Sequence, residues 1–171
     1  MTRSAVVRRP TTRLLVVVAF ALSSLLVPGL GQSAPAEART GPCGGRLVGH
    51  YPVKARVDGQ RKKIAELAVY WNQAAGRNCV RMNHAGPTWG KRLRTRVFLA
   101  PCLERKPNRT CTYHGSKARR DIGQFKEYAG PVSVKARNRC IHAAGTITFR
   151  GKRHSVVAHP KGKPLYAYHC G

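Results

Sequence analysis

Val53-Lys54-Ala55-Arg56-Val57-Asp58-Gly59-Gln60-Arg61-Lys62-Lys63-Ile64-Ala65-Glu66-Leu67-Ala68-Val69-Tyr70-Trp71 is the stretch that decides the fold. Its first five residues alternate apolar and basic, the period of a half-buried strand. Asp58-Gly59 is a hairpin signal, because both turn residues must adopt φ > 0. Residues 64–71 then read as the return strand, although Glu66, Leu67 and Ala68 also suit a helix.

The same grammar continues along the chain. Residues 78–83, 94–100, 132–136 and 145–150 read as short strands separated by Gly, Pro and Asn. Gly151-Lys152 is a turn into a strand over 154–158, and residues 165–169 close the series. Short strands at this spacing predict an all-β fold, a small antiparallel β-sandwich or barrel.

Outward from that core, the N-terminus reads as an export signal. Arg3, Arg8, Arg9 and Arg13 precede an apolar run over residues 14–30, broken by Ser23, Ser24 and Pro28. Ala34-Pro35-Ala36 and Ala36-Glu37-Ala38 follow as small-x-small cleavage sites. The expected organisation is a helical signal peptide over 1–38 and one secreted, disulfide-stapled domain over 39–171.

All six cysteines lie in the second part. An even number in a small exported domain reads as a disulfide framework, for which fifteen pairings exist. Cys102 and Cys111 bracket a loop with Pro and Asn turn signals and predict a local bridge. Cys43 with Cys170, clamping the ends, and Cys79 with Cys140 complete the expected set. No Cys-x-x-Cys or close His pair supports zinc, and no metal or cofactor is expected.

The chain carries 32 Lys plus Arg against 6 Asp plus Glu, a formal charge of +26 in 171 residues. Removing residues 1–38 takes away four of the basic residues and one of the acidic, leaving 28 against 5. That imbalance argues against an enzyme of acidic metabolites and makes anionic polymers the expected partners. An apolar content of 42% suffices for a packed core, so the charge belongs to a folded surface rather than a disordered tail. The densest groups are Arg61-Lys62-Lys63, Arg92/Arg94/Arg96, Arg119-Arg120 beside Lys117, and Lys152-Arg153 beside Arg150. Arg92, Arg94 and Arg96 have strand spacing, which points all three to one face and turns Leu93, Thr95 and Val97 to the core. Such strips suit the phosphates of a cell-wall or spore-surface polymer, of nonspecifically bound nucleic acid or of an anionic membrane surface. Trp71, Trp89 and Tyr113 are candidates for base stacking, though core or rim positions account for them as well. No small-molecule substrate is indicated.

Two other classes compete. A secreted nuclease would draw its proton-transfer groups from His50, His84, His114, His142, His154, His159, His169 and Glu127. None of these has a spacing that demands chemistry, and His142, on the strand after Cys140-Ile141, reads as a satisfied structural histidine. No Gly-x-Ser-x-Gly elbow occurs, so a Ser/His/Asp triad has little support. A secreted inhibitor or toxin would present Arg105, Lys106 and Arg109 on the Cys102–Cys111 loop to a protease.

The segment Asp121-Ile122-Gly123-Gln124-Phe125 followed by Tyr128-Ala129-Gly130-Pro131-Val132 carries a family likeness. With Ala75-Gly76-Arg77-Asn78-Cys79-Val80, Cys140-Ile141, Gly145-Thr146-Ile147 and the terminal His169-Cys170-Gly171, it resembles the spore-associated protein A family, over residues 70–171. That resemblance implies an exported, non-enzymatic protein associated with spores or the cell surface, and supplies no catalytic residue. The Cys102–Cys111 loop and the stronger basic charge depart from the family pattern.

Overall fold

A computed structural model describes residues 42–159 and 165–171; the signal peptide expected over 1–38 lies outside them. Eight strands form the described chain: β1 (Arg46–Val57), β2 (Gln60–Asn72), β3 (Arg77–His84), β4 (Leu93–Pro101), β5 (Arg119–Phe125), β6 (Tyr128–Lys135), β7 (Ile141–Phe149) and β8 (Lys152–Val157). They make two antiparallel sheets, ordered β1-β2-β3-β6 and β5-β4-β7-β8. One apolar core joins them, with Leu67, Val69, Val80 and Met82 from the first sheet against Val97, Leu99, Ala143 and Ile147 from the second. This is the sandwich form of the expected all-β class.

The quoted hairpin folds as its alternation dictates. Val53, Ala55 and Val57 are buried while Lys54 and Arg56 are exposed. Asp58 (φ 53°) and Gly59 (φ 77°) form the two-residue turn, and Val57 pairs with Gln60 across it. The helical alternative for Glu66-Leu67-Ala68 does not form, because β2 lies between β1 and β3 and is buried at Ile64, Ala65, Leu67, Ala68 and Val69. Consecutive buried residues on both faces of a strand read as a nearly continuous apolar run, which mimics a helix in sequence.

Three features of the remaining strands differ from expectation. β5 is absent from the sequence reading, because Arg119-Arg120-Asp121-Ile122-Gly123-Gln124-Phe125 is an edge strand with no fully buried residue and hence little apolar signal. Residues 165–169 do not form a closing strand. They make two isolated bridges, Thr110 with Tyr166 and Ile141 with Tyr168. Arg150 (φ 50°) and Gly151 (φ 74°), rather than Gly151-Lys152, are the left-handed pair between β7 and β8.

Between the sheets, Met82 packs on Gly145. A Cβ on Gly145 would lie 2.5 Å from the Met82 sulfur, so a larger residue there requires the Met82 side chain to shift. At Gly130-Pro131 the β3–β6 register shifts between Val80 and Met82. Gly130 (φ 95°) approaches the Val80 carbonyl, and its N–H donates to Asp121 Oδ2 at 2.7 Å. The family-like motif therefore works locally as a bulge tied to β5.

The disulfides are Cys43–Cys79, Cys102–Cys111 and Cys140–Cys170. Only Cys102–Cys111 matches the expected set; Cys43–Cys170 and Cys79–Cys140 do not form. The hairpin register explains the first correction. Arg46 pairs with Trp71 and Trp71 with Asn78, so the residues preceding β1 arrive at the start of β3. The Ile141–Tyr168 bridge explains the second, because it lays the C-terminal segment along the start of β7. Cys102, Cys111, Cys140 and Ala167 form a small second core against Tyr113. Three bridges, with no free cysteine among the described residues, are consistent with a secreted or extracellular protein.

A non-reducing peptide map is expected to recover 43–79, 102–111 and 140–170 linkages; a 43–170 peptide would contradict the register that joins β1, β2 and β3. Leu67→Ala is expected to cost about 2–5 kcal/mol in urea unfolding, the range for removing a fully buried leucine.

Candidate anion-binding surfaces

Strand geometry redistributes the basic residues. Neighbours in sequence point to opposite faces of a strand, so each sequence cluster is divided. Arg119 lines a cleft of about 480 Å³ with Arg77, Lys117, Lys135, Ser116 and Ser133, whereas Arg120 sits opposite Phe98 on the outer face of the second sheet. Lys152 lines another cleft, while Arg153 pairs with Thr148. In the Arg61-Lys62-Lys63 group, Arg61 enters that second cleft. Lys63 is diverted to Glu66 at 3.2 Å, and Lys62 remains exposed opposite Ala55.

The second cleft, of about 500 Å³, lies between the β1–β2 and β7–β8 hairpin tips and is lined by Lys54, Arg56, Arg61, Arg150, Lys152 and His154. Arg56 is the direct cross-strand partner of Arg61, and Lys54 of Lys63. In the first cleft Arg77 likewise faces Lys135. Like charges placed directly opposite are unfavourable, and an anion between them relieves the repulsion. Asp58 reaches Arg150 at 3.4 Å, but both groups are well exposed and such a pair contributes little.

The expected Arg92/Arg94/Arg96 strip is two residues long. Arg94 and Arg96 project outward from β4, with Thr95 buried between them, Val97 buried after them and Leu93 half-buried; Arg92 precedes the strand and lies in a loop. Beside Arg96 is a smaller recess that includes Phe98, Tyr113 and His142.

Few acids remain to neutralise these cations. Asp121 accepts from Gly130, Glu104 accepts from the Thr112 N–H at 3.0 Å, and Glu66 serves Lys63 with His50 nearby at 3.8 Å. One cation that the sequence clusters missed is Arg81, stacked 5.0 Å from the Tyr128 ring and 5.7 Å from Tyr70. Its neighbours come from other strands, which no sequence spacing reveals.

The histidines divide by environment. His84 is the satisfied one: burial lowers its pKa, its Nδ1–H donates to the Thr88 carbonyl at 3.2 Å, and Thr95 lies 2.7 Å from Nε2. His142 is also buried, and its Nδ1 makes no hydrogen bond of regular geometry among the described residues. Burial, and secondarily the charge of His159, lower its pKa against an opposing interaction with the Tyr166 backbone. His169 is held down to about 4 by burial and shares a 2.7 Å hydrogen bond with Tyr51, whose own pKa burial, with Tyr168, raises to about 12. Of the aromatic candidates, Trp71 packs against Gly171, Trp89 is 59% exposed, and Tyr113 stacks near His142.

No family model, curated protein or solved structure matches the chain.

His169 generates a pH dependence. The folded protein protonates it near pH 4, the unfolded chain near its ordinary 6.5. Between those values the unfolded chain binds more protons, so stability falls as pH drops through this window. Buried His84 and His142 act in the same direction. The melting temperature is therefore expected to decline from pH 6.5 to 4, with a shallower slope in His169→Gln; an unchanged slope in that variant would refute the assignment.

Proposed function

We propose that the protein is a secreted, non-enzymatic binder of polyanions at the cell or spore surface, acting through cationic clefts built from separate hairpins. The observation that carries this reading is the tip cleft, where Arg56 faces Arg61 and Arg150, Lys152, Lys54 and His154 complete the wall. Among the described residues, the acid that pairs with this wall is the exposed Asp58. A phosphate polymer of the envelope, such as a poly(glycerol phosphate), complements that wall because its charges repeat along a flexible chain. Each contact then releases counterions and makes binding steeply salt-dependent. The likeness of Tyr128-Ala129-Gly130-Pro131-Val132 and its flanks to the spore-associated protein A family supports surface association as the biological setting. The three disulfides suit that compartment.

The test is retention of the protein on immobilised poly(glycerol phosphate) across a salt series. Joint replacement of Arg56, Arg61 and Lys152 by glutamine is expected to reduce the slope of log affinity against log salt by roughly 2–3, at about 0.7–0.9 per contact. Absence of salt-sensitive retention by the unaltered protein would reject the reading.

A further inference from the structure

The outer face of the second sheet carries a feature that charge alone does not explain. Register places Arg94, Arg96 and Phe98 of β4 on this face, with Arg120 opposite Phe98 on β5 and Ala144 opposite Phe98 on β7. Ala144 is the small residue in this row. Where its side chain stops, a recess of about 240 Å³ opens, walled by Phe98, Tyr113, His142, Arg96 and Thr146.

Three of the walls are ring side chains, Phe98, Tyr113 and His142. Tyr113 and His142 hold nearly parallel rings, 4° apart in plane with centroids 6.4 Å apart. Phe98 stands at 57° to Tyr113 and 60° to His142, with centroids 5.7 and 6.0 Å away. Tyr113 is held from behind by the Cys102–Cys111 and Cys140–Cys170 cluster, so the box is built before any ligand arrives. Arg96 leans over the Phe98 ring at 5.9 Å, fixing a cation at the rim. The outward register positions of the four strands carry no acidic residue; Asp121, the nearest, pairs with buried Val97 and faces the other way. Burial keeps His142 uncharged at neutral pH, so it offers a ring face rather than a second cation.

A recess that joins three ring side chains to Arg96, with Arg94 and Arg120 on the same face, suits a ligand that is planar and aromatic in one part and anionic in the next. The volume is below the roughly 300–1,000 Å³ of pockets for drug-sized molecules, so it suits a ring system and little more. We propose that this recess receives one unstacked base of a single-stranded nucleic acid, with the adjoining phosphates on Arg94, Arg96 and Arg120. Thr146 supplies a hydroxyl for the edge of the base. A duplex keeps its bases stacked inside and cannot fill the recess without unpairing. The inference shares with the proposed function only the attraction of cations for phosphate; the recess and its ligand are additional.

The experiment compares the purified protein's affinity for a labelled single strand of about a dozen nucleotides with that for an abasic strand of equal length and phosphate count. The base-bearing strand is expected to bind at least about fivefold more tightly, the lower end of what one stacked base contributes. Ala144→Leu fills the recess from an outward position and is expected to abolish this preference while leaving the abasic affinity unchanged. Tyr113→Phe is expected to keep the preference and Tyr113→Ala to lose it. Equal binding of the two strands by the unaltered protein, or an undiminished preference in Ala144→Leu, would overturn the inference. Binding of poly(glycerol phosphate) with no preference for bases would overturn it and leave the proposed function standing. Failure to bind any of the three polymers would overturn both.

Discussion

Coulomb repulsion among cations is the constraint to which the rest of the structure answers. A domain with this excess of positive charge destabilises its own compact state. The chain manages this by keeping Lys, Arg, Asp and Glu out of the buried core and setting several like-charged pairs near strand ends. Arg56 with Arg61 and Lys54 with Lys63 sit toward a hairpin tip, and Arg77 with Lys135 at the strand ends, where water screens them. The interior is left to apolar residues, closed by the Met82–Gly145 contact. The disulfides fall where repulsion and fraying would act together: ahead of β1, across the loop after β4, and at the C-terminal segment.

The acids follow the same logic from the other side. Asp121 holds the Gly130 bulge and Glu104 the Thr112 backbone, so two carboxylates work as local hydrogen-bond acceptors and not as counterions. Their use inside the fold leaves the clefts positive. The motif around Tyr128 is therefore understandable as architecture: a bulge, a carboxylate that satisfies it, and a tyrosine on which Arg81 rests.

What the sequence disclosed depended on whether the relevant physics was local. The β1–β2 hairpin was legible because alternation and the Asp58-Gly59 turn are properties of adjacent residues. β5 was not, since, unlike the edge strand β1, it has no fully buried residue to leave an apolar alternation. The Cys102–Cys111 bridge was legible from its short loop, whereas the other two follow from register, which sequence spacing does not contain. The basic clusters misled for a specific reason. Arg119 and Arg120 are adjacent in the chain yet serve different surfaces, while Arg61 and Lys152, far apart in the chain, line one cleft. The recess beside Arg96 needed β4, β7 and a disulfide-held loop to meet, and in the sequence Arg96, Tyr113 and His142 stood out only as separate candidates with no spacing to join them.

The two larger clefts lie at opposite ends of the sandwich. Arg77 and Arg119 stand at the starts of β3 and β5, near the C-terminal end of β4, whereas Arg56, Arg61 and Lys152 stand near the opposite strand ends. At about 3.3 Å per residue, a strand of eight or nine residues separates them by roughly 25–30 Å. A body charged at one end caps a polymer, but one charged at both ends has valence two. For the polyanion binding we propose, two such ends would hold two strands at once, or one strand twice, with the second attachment favoured by the high effective concentration set by the first. That geometry would suit a cross-linking node.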